Sequence, residues 1–364
     1  MKRVHSWLLA VCMLAMLLGG CGQDGAKTTE AAGGQEGTPA AGGENAGGQD
    51  NAGTGGSALP EFYDLTMTFG AETGSVYAMG IQIGEYINSL EPDITCTVKV
   101  GAAASNLSLL SSGDTVIAHS QSDTIHEALL GEGSFPEKLS GFYSVASVME
   151  SVLHVAVSSD VPVNSFAELI EQKYPLKVSV GTQGSGIESL FRKILSYYGV
   201  TYDDIASWGG KVEYLNIGDA STLFTDGQLN AVAVLAGVPY SSISEIAASR
   251  EIKLLSLDQE AVDWLCGQGY LSKPIASGTY NGIDTDTASV GVVITVCAGE
   301  GADENVVYEI TKFLNSPEGI EILGSVNSGF ASYMTGPESA LAGIEAELHP
   351  GAARYYSEAG ALAQ

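Results

Sequence analysis

The stretch Lys177-Val-Ser-Val-Gly-Thr-Gln-Gly-Ser-Gly-Ile-Glu188 has the pattern of a strand, a turn and a helix. Its opening residues predict a short strand at 177–180, and its glycines predict a sharp turn at 181–186. Apolar residues at helical spacing then predict an amphipathic helix over 187–198. A strand, a glycine-rich turn and a helix in this order are typical of an α/β sheet. At such a turn, the unpaired N–H groups and the dipole of the helix start favour an anion.

A second stretch of the same design lies earlier in the chain. Residues 65–69 predict a strand, Gly70-Ala-Glu-Thr-Gly-Ser75 predicts the turn, and residues 76–90 predict a helix. Further strands are predicted at 95–100, 115–118, 152–157, 211–215 and 231–235, and further helices at 106–110, 166–172 and 219–226. The alternation indicates parallel α/β sheets, and one glycine turn in each half favours two lobes with a ligand between them. The alternative is two ordinary helix starts, with Gly for positive φ and Ser or Thr as caps.

The amino terminus has the pattern of an export signal. Basic Lys2-Arg3 precedes an apolar run from Trp7 to Leu18, which is shorter than the ~20 residues of a membrane-spanning helix. We therefore expect a signal peptide at 1–20. Its end, Leu18-Gly-Gly-Cys21, resembles a bacterial lipobox in which Cys21 carries a lipid, with ordinary secretion as the alternative. The segment 21–58 lacks aromatic residues and is rich in Gly and Ala, so we expect a disordered tether.

Composition and motifs exclude several classes of function. The 364 residues include 43 acidic and 15 basic side chains, and the net charge of −28 argues against a nucleic-acid partner. The sequence has no P-loop, nucleophile elbow or H-E-x-x-H motif, so we expect no catalytic residues, no cofactor and no metal site. Cys96, Cys266 and Cys297 are odd in number and lack C-x-x-C spacing, which predicts small buried residues. An extracytoplasmic enzyme in the same cleft is the remaining catalytic alternative.

A series of short segments carries a family resemblance across residues 65–360. They are Thr73-Gly-Ser-Val-Tyr77, Asn106-Leu107, Ser120-Gln-Ser-Asp123, Leu153-His-Val155, Val178 to Gly186, Ala236-Gly-Val-Pro239, Gly278-Thr-Tyr280 and His349-Pro-Gly351. In this order they resemble the TAXI family, the substrate-binding proteins of TRAP transporters. One departure concerns Ile187, which stands where the family usually has Thr, so that one hydroxyl donor is lost.

The resemblance implies a two-lobed α/β fold of the periplasmic-binding-protein type (type II). Each lobe would be a mostly parallel sheet flanked by helices, and hinge strands would join the lobes. Lobe one would comprise residues 59–151 and 291–364, and lobe two residues 152–290. The implied function is capture of a small carboxylate or a glutamate-like amino acid outside the cell. The partner would be a TRAP permease with fused small and large subunits, and a ligand-sensing lipoprotein with a signalling partner is the alternative.

The resemblance also implies ligand-binding positions in four segments. They are Thr73, Gly74, Ser75 and Tyr77; Gln121, Ser122 and Asp123; Gly184, Ser185, Gly186 and Ile187; and Gly237, Val238 and Pro239. Tyr77 would supply an apolar wall and a hydroxyl, Gln121 and Ser122 polar contacts, and Gly237 with Pro239 the floor. Asp123 would bind a ligand ammonium or serve as a helix cap. These segments contain no Lys or Arg, so an anion would depend on backbone amides and hydroxyls, and a zwitterion would fit more easily than a dicarboxylate.

Overall fold

The computed structural model describes residues 58–60, 63–72 and 74–362. The expected signal peptide, the lipid site at Cys21, the tether up to Ser57 and the site residue Thr73 lie outside the described residues. The strands are β1 (Tyr63–Phe69), β2 (Ile94–Val100), β3 (Ile117–Gln121), β4 (Phe142–Ser158), β5 (Lys177–Ser179), β6 (Lys211–Glu213), β7 (Ala231–Ala236), β8 (Ile252–Leu254), β9 (Leu271–Ser272) and β10 (Val290–Gly299).

The helices alternate with these strands and then form a run at the carboxyl-terminal end. They are α1 (Ser75–Leu90), α2 (Ala103–Ser112), α3 (Ser122–Leu130), α4 (Phe166–Glu171), α5 (Gly186–Tyr197), α6 (Tyr202–Ser207), α7 (Ile217–Thr225), α8 (Ser241–Ser249), α9 (Gln259–Cys266), α10 (Glu304–Asn315), α11 (Pro317–Val326), α12 (Ser328–Tyr333), α13 (Pro337–Leu341) and α14 (Pro350–Glu358). Among the described helices, none has the length and apolar character needed to cross a membrane.

The strands form one mixed sheet in the order β2-β1-β3-β10-β4-β7-β5-β6, with β8 paired to β4 and β9 to β10. At one end β1 pairs in parallel with β2 and β3, and at the other end β5 pairs in parallel with β6 and β7. The central strands β4 and β10 are antiparallel to their neighbours. The predicted α/β class, a sheet flanked by helices, is confirmed. Among the strands described, every antiparallel pair includes β4 or β10, the two long strands that cross between the parallel ends.

β4 connects the two parallel ends of the sheet. Its first part, residues 142–152, pairs with β10, and its second part, residues 152–157, pairs with β7. The sequence predicted a strand only at 152–157. The earlier part was missed because serines and Glu150 interrupt the apolar residues there, although residues 144–148 are buried. Residues 149–151, next to the change of partner, are half-buried.

Each half of the sheet has its own apolar core. In the first half, Met67 and Phe69 of β1 pack with Ile83 of α1, and none of the three is exposed. In the second half, one face of the sheet packs under Phe191 of α5 and the other under Phe224 of α7. Covering both faces is what a parallel sheet requires, because neither face can be left in water. The boundaries of the two lobes stay a prediction.

The three cysteines in the described part of the chain are free, but they are not equally buried. Cys297 is buried in β10, Cys96 is half-buried, and Cys266 is exposed. The expectation of three buried residues is therefore wrong for Cys266. The physical reason is its position on α9, where Val262 and Leu265 form the buried stripe and Cys266 follows one residue beyond it.

Candidate functional site

The second glycine loop has the predicted design of strand, turn and helix. β5 ends at Ser179, and α5 begins at Gly186 with Ser185 as its N-cap. Gly181 and Gly184 have φ angles of +80° and +76°, a backbone conformation that glycine adopts without strain. A Cβ added to Gly181 would also lie 2.5 Å from Cγ2 of Ile187. The loop therefore needs glycine at these two positions, whereas Gly186 does not have a positive φ.

A cavity of about 260 Å³ opens beside this loop, at the carboxyl ends of β5 and β7. It is lined by Ser179, Gly181, Thr182, Ser185, Ile187, Leu215, Asn216, Ile217, Ala220, Val232, Ala233, Val234, Leu235, Ala236 and Tyr240. The lining contains no Asp, Glu, His, Lys or Arg. Although β7 is an interior strand, Val234, Leu235 and Ala236 are only half-buried, because the cavity opens onto them.

Two serine hydroxyls in the cavity lining are buried without a hydrogen-bond partner. They are Oγ of Ser179, whose residue is 1% exposed, and Oγ of Ser185. The Ser185 side chain does not cap α5 either, so the first-turn N–H groups of that helix lack a side-chain acceptor. A buried polar group left unpaired costs about 1–3 kcal/mol. These hydroxyls are therefore the polar atoms of the cavity with most to gain from a ligand.

The first glycine loop does not contribute its aromatic residue to this cavity. Gly74 is the N-cap of α1, and Ser75 is the first residue of that helix. The Tyr77 hydroxyl donates to the carbonyl oxygen of Val98 at 3.4 Å. Tyr77 lies in a different groove, of about 430 Å³, between α1 and β2. The wall expected from Tyr77 is therefore absent from the cavity, where Ile187 and Leu235 are apolar lining residues instead.

Of the residues 121–123, only Gln121 approaches the second loop. A Cβ added to Gly186 would lie 3.7 Å from Oε1 of Gln121, so the end of β3 meets the start of α5. Ser122 is fully buried, and its hydroxyl accepts a hydrogen bond from the Val293 backbone N–H at 3.3 Å. The buried serine therefore supports β10, and its hydroxyl is already occupied.

Asp123 is used in a contact between the two halves of the sheet. Its Oδ1 accepts from the Thr124 backbone N–H at 2.8 Å, and its carboxylate forms a hydrogen bond with Tyr270. Burial raises the pKa of Asp123, which the hydrogen bond from Tyr270 partly offsets. Neighbouring Glu127 forms an ion pair with Lys193 of α5 at 2.9 Å. Asp123 is neither the N-cap of α3, which is Gln121, nor a lining residue of the cavity.

The segment that follows β7 is held by a buried hydrogen-bond chain. The Tyr240 backbone N–H donates to the Tyr280 hydroxyl at 2.7 Å, and that hydroxyl lies 2.8 Å from Nε2 of His154. Nδ1 of His154 lies 2.9 Å from the carbonyl oxygen of Val152, so Nδ1 carries the proton and Tyr280 donates to Nε2. Burial lowers the pKa of His154 to about 4, and the imidazole is therefore neutral at pH 7.

The hydrogen bonds from His154 through Tyr280 hold Tyr240 at the cavity, next to the expected floor residues. Val238 and Pro239 are joined by a cis peptide bond, and a Cβ added to Gly237 would meet nothing within 4 Å. None of the three lines the cavity: in this segment the lining residues are those up to Ala236 and then Tyr240. Sequence reasoning missed Ser179, Tyr240 and the start of α7. The available signal was the pair of segments containing His154 and Tyr280, which the fold brings into contact.

The basic groups of α5 near the cavity are in ion pairs, and Asp219 of α7 accepts a hydrogen bond from the Asn216 amide at 2.7 Å. Arg192 forms an ion pair with Glu188 in the first turns of α5, and Lys193 with Glu127. Within the described ranges, no group of three or more His, Cys, Asp or Glu side chains is placed to hold a metal ion. The site can thus offer a ligand hydroxyl groups, backbone N–H groups and an apolar surface.

Comparison with known proteins gives one family match. Residues 67–360 match the model of the NMT1-like family. Among solved structures, a TctC solute-binding protein from Polaromonas has a TM-score of 0.46 and 13% identity, covering 82% of this chain and 95% of that chain. The periplasmic aliphatic sulphonate-binding protein SsuA of Escherichia coli has a TM-score of 0.40 and 15% identity, covering 76% and 83%. A phosphate transport receptor from Vibrio cholerae has a TM-score of 0.42 and 14% identity, covering 72% and 98%. All three likenesses are remote, and their ligands are properties of those proteins.

Proposed function

This chain belongs to the NMT1-like family, and we propose that it is an extracytoplasmic solute-binding protein serving a membrane transporter. Its ligand would be a small carboxylate or an amino acid, glutamate-like compounds included. The observation that carries the proposal is the cavity at the carboxyl ends of β5 and β7, with two unpartnered buried hydroxyls in its lining. In open α/β sheets, ligands bind beyond the carboxyl ends of strands.

The two halves of the sheet support a capture mechanism based on closure. Within the part of the chain that the structure describes, β4 and β10 are the strands that run between them, and β4 changes partner at Val152. Gln121 from one half meets Gly186 from the other beside the cavity, and Lys193 pairs with Glu127 across the same boundary. A hinge of a few residues in two strands is sufficient for domain closure around a ligand.

Binding rather than catalysis is favoured by the residue types in the cavity. Its hydroxyls belong to Ser179, Thr182, Ser185 and Tyr240, and the lining includes no His, Asp, Glu or Lys to act as their base. Nucleophilic catalysis by a serine needs such a base within hydrogen-bond reach. Hydroxyls without a base are suited to holding a polar ligand.

We further propose membership of the TAXI subfamily and a TRAP permease with fused subunits as the partner. The support is the order of the segments quoted above, from the first glycine loop to His349-Pro-Gly351. Cys21 would carry a lipid that anchors the protein at the outer face of the membrane. Cys21→Ser should move the protein from the membrane fraction to the medium, and unchanged retention would contradict the anchor.

The test of the function is identification of the retained ligand. We expect mass spectrometry of gently purified protein to detect a small carboxylate or amino acid, which then raises the melting temperature when added back. Gln121→Ala should weaken its binding, because Gln121 faces Gly186 beside the cavity. Gln172→Ala, at the exposed end of α4, is the matched control and should bind like the parent. Equal affinities of the two variants would place the ligand elsewhere.

A further inference from the structure

The lining of the cavity restricts the charge that a ligand can bring into it. Its residues are apolar or uncharged. The basic side chains of α5, Arg192 and Lys193, form ion pairs with Glu188 and Glu127. Among the lining residues, a second carboxylate would find no cation and an ammonium group would find no carboxylate. The carboxylates beside the lining are already engaged, Glu188 by Arg192 and the Gly184 N–H, and Asp219 by the Asn216 amide. An ion buried without a partner is strongly disfavoured, because it loses its hydration without compensation.

One negative charge is nevertheless compatible with the polar atoms present. Oγ of Ser179 and Oγ of Ser185 are buried and unpartnered, and α5 begins at the cavity without a side-chain cap. Glu188 in the first turn of α5 forms an ion pair with Arg192 and accepts a hydrogen bond from the Gly184 N–H at 3.4 Å, which leaves the first-turn N–H groups of α5 for a ligand. Hydroxyl groups and N–H groups at a helix start bind a single carboxylate well, since both donate to it and the helix dipole favours it.

The rest of the cavity suits a short hydrocarbon chain. Ile187, Leu215, Ile217, Val234 and Leu235 present aliphatic side chains to it. Ile187 stands at the position where the resemblance expects a threonine, so an aliphatic group replaces a hydroxyl at the start of α5. The volume of about 260 Å³ is below the ~300–1,000 Å³ of pockets for drug-sized ligands, which favours a small molecule.

We propose that the cavity binds a small aliphatic monocarboxylate that has neither an ammonium group nor a second carboxylate. This inference rests on the proposed function and narrows its ligand class. The carboxylate accepts hydrogen bonds from Ser179 Oγ, Ser185 Oγ and first-turn N–H groups of α5. The hydrocarbon chain lies against the aliphatic side chains of β7 and of the start of α7.

The first test uses three probes with the same six-carbon chain, namely hexanoate, adipate and L-norleucine. Adipate has a carboxylate in place of the terminal methyl group of hexanoate, and norleucine has an ammonium group on the carbon next to the carboxylate. Calorimetric titration of the protein, freed of retained ligand by unfolding and refolding, should show hexanoate binding at least ten-fold tighter than both others. Tighter binding of adipate or norleucine, or no binding of hexanoate, would overturn the inference.

The second test uses serine variants and predicts opposite effects on stability and on binding. Ser179→Ala and Ser185→Ala each remove an unpaired hydroxyl, so the free protein should melt at the same temperature or higher. Each should weaken hexanoate binding about ten- to hundred-fold, as expected for a hydrogen bond to a charged group. Ser196→Ala, on the exposed side of α5, is the matched control and should change neither quantity. Unchanged hexanoate affinity in both cavity variants would overturn the inference.

The outcomes separate this inference from the proposed function. If the retained ligand is a dicarboxylate or an amino acid, and Ser185→Ala weakens its binding, the solute-binding function stands and the monocarboxylate inference fails. If neither retained solutes nor the three probes bind, both fail.

Discussion

Tyr280→Phe tests whether the buried chain from His154 to Tyr240 organises the second half of the molecule. The Tyr280 hydroxyl accepts from the Tyr240 N–H at 2.7 Å and donates to His154 Nε2 at 2.8 Å. Tyr280 is 3% exposed and His154 is not exposed, so water cannot easily replace the lost group. The aromatic ring itself is kept, which leaves its edge-to-face contact with the imidazole in place.

The magnitude follows from the two groups left behind. A buried donor or acceptor that loses its partner costs about 1–3 kcal/mol. Nε2 of the buried His154 is left without any partner, so the full cost applies to it. The half-buried Tyr240 N–H can instead bond to water, which reduces its cost. We expect Tyr280→Phe to lower the free energy of unfolding by about 2–3 kcal/mol. Ligand affinity should fall as well, because Tyr240 lines the cavity.

The assay is guanidinium unfolding of the parent, Tyr280→Phe, His154→Leu and the double variant at pH 7.5. The double variant removes both the Tyr280 hydroxyl and His154 Nε2, so neither atom of this pair is left unpaired, although the Tyr240 N–H and the Val152 carbonyl still lose their partners. It should therefore cost less than the sum of the single variants by about 1–2 kcal/mol. The m-value should stay constant. A loss below about 0.5 kcal/mol for Tyr280→Phe, or strict additivity in the double variant, would refute the reasoning.

Three further predictions concern the glycine turn, pH and the contact between the halves. Gly181 has a φ of +80°, and an added Cβ would lie 2.5 Å from Cγ2 of Ile187, whereas Gly184 has a φ of +76° and open space around an added Cβ. Strain at positive φ alone costs about 1–2 kcal/mol. Thermal melts should therefore show a stability loss well above this value for Gly181→Ala and a loss near it for Gly184→Ala. The folded pKa of His154, about 4, lies below its unfolded value of 6.5, so its contribution to stability is complete above pH 6.5 and is lost as pH falls towards 4. His154→Gln should reduce the slope of unfolding free energy in this window by up to about 1.4 kcal/mol per pH unit, and an unchanged slope would count against a buried neutral imidazole. Lys193→Met should lower the free energy of unfolding by about 1 kcal/mol, because the partly exposed ion pair with Glu127 is lost. Titration with the retained ligand should show several-fold weaker binding. An affinity equal to that of the parent would show that the ion pair does not support closure.

The local elements were predictable because each depends on a short run of residues. Period and glycine placement identified the strand at 65–69 and the helix at 187–198, and the structure has β1 over Tyr63–Phe69 and α5 over Gly186–Tyr197. The first part of β4 was not predictable in this way. Its Ser147, Glu150 and Ser151 break the apolar pattern, and β10 beside it supplies the pairing that makes residues 142–152 a strand.

The candidate site shows the same division. Sequence reasoning identified the second glycine loop, and the structure places Ser185 and Ile187 of that loop at the cavity. It did not identify Ser179 or Tyr240 as cavity residues, because no motif includes them and their place in the lining depends on the fold. It expected Tyr77 to form a wall, but the Tyr77 hydroxyl is engaged by the Val98 carbonyl in another groove.

The α/β class, the alternation of strands and helices and the turns that require glycine could all be predicted from the amino-acid sequence. These follow from period, from steric limits on φ and from burial of apolar faces, all of which act over a few residues. Three features became visible in the folded molecule: β4 and β10 cross the sheet between its parallel ends, His154 contacts Tyr280, and Ser179 and Ser185 line one cavity. Such contacts join residues far apart in the chain, and their geometry depends on the packing of the whole sheet.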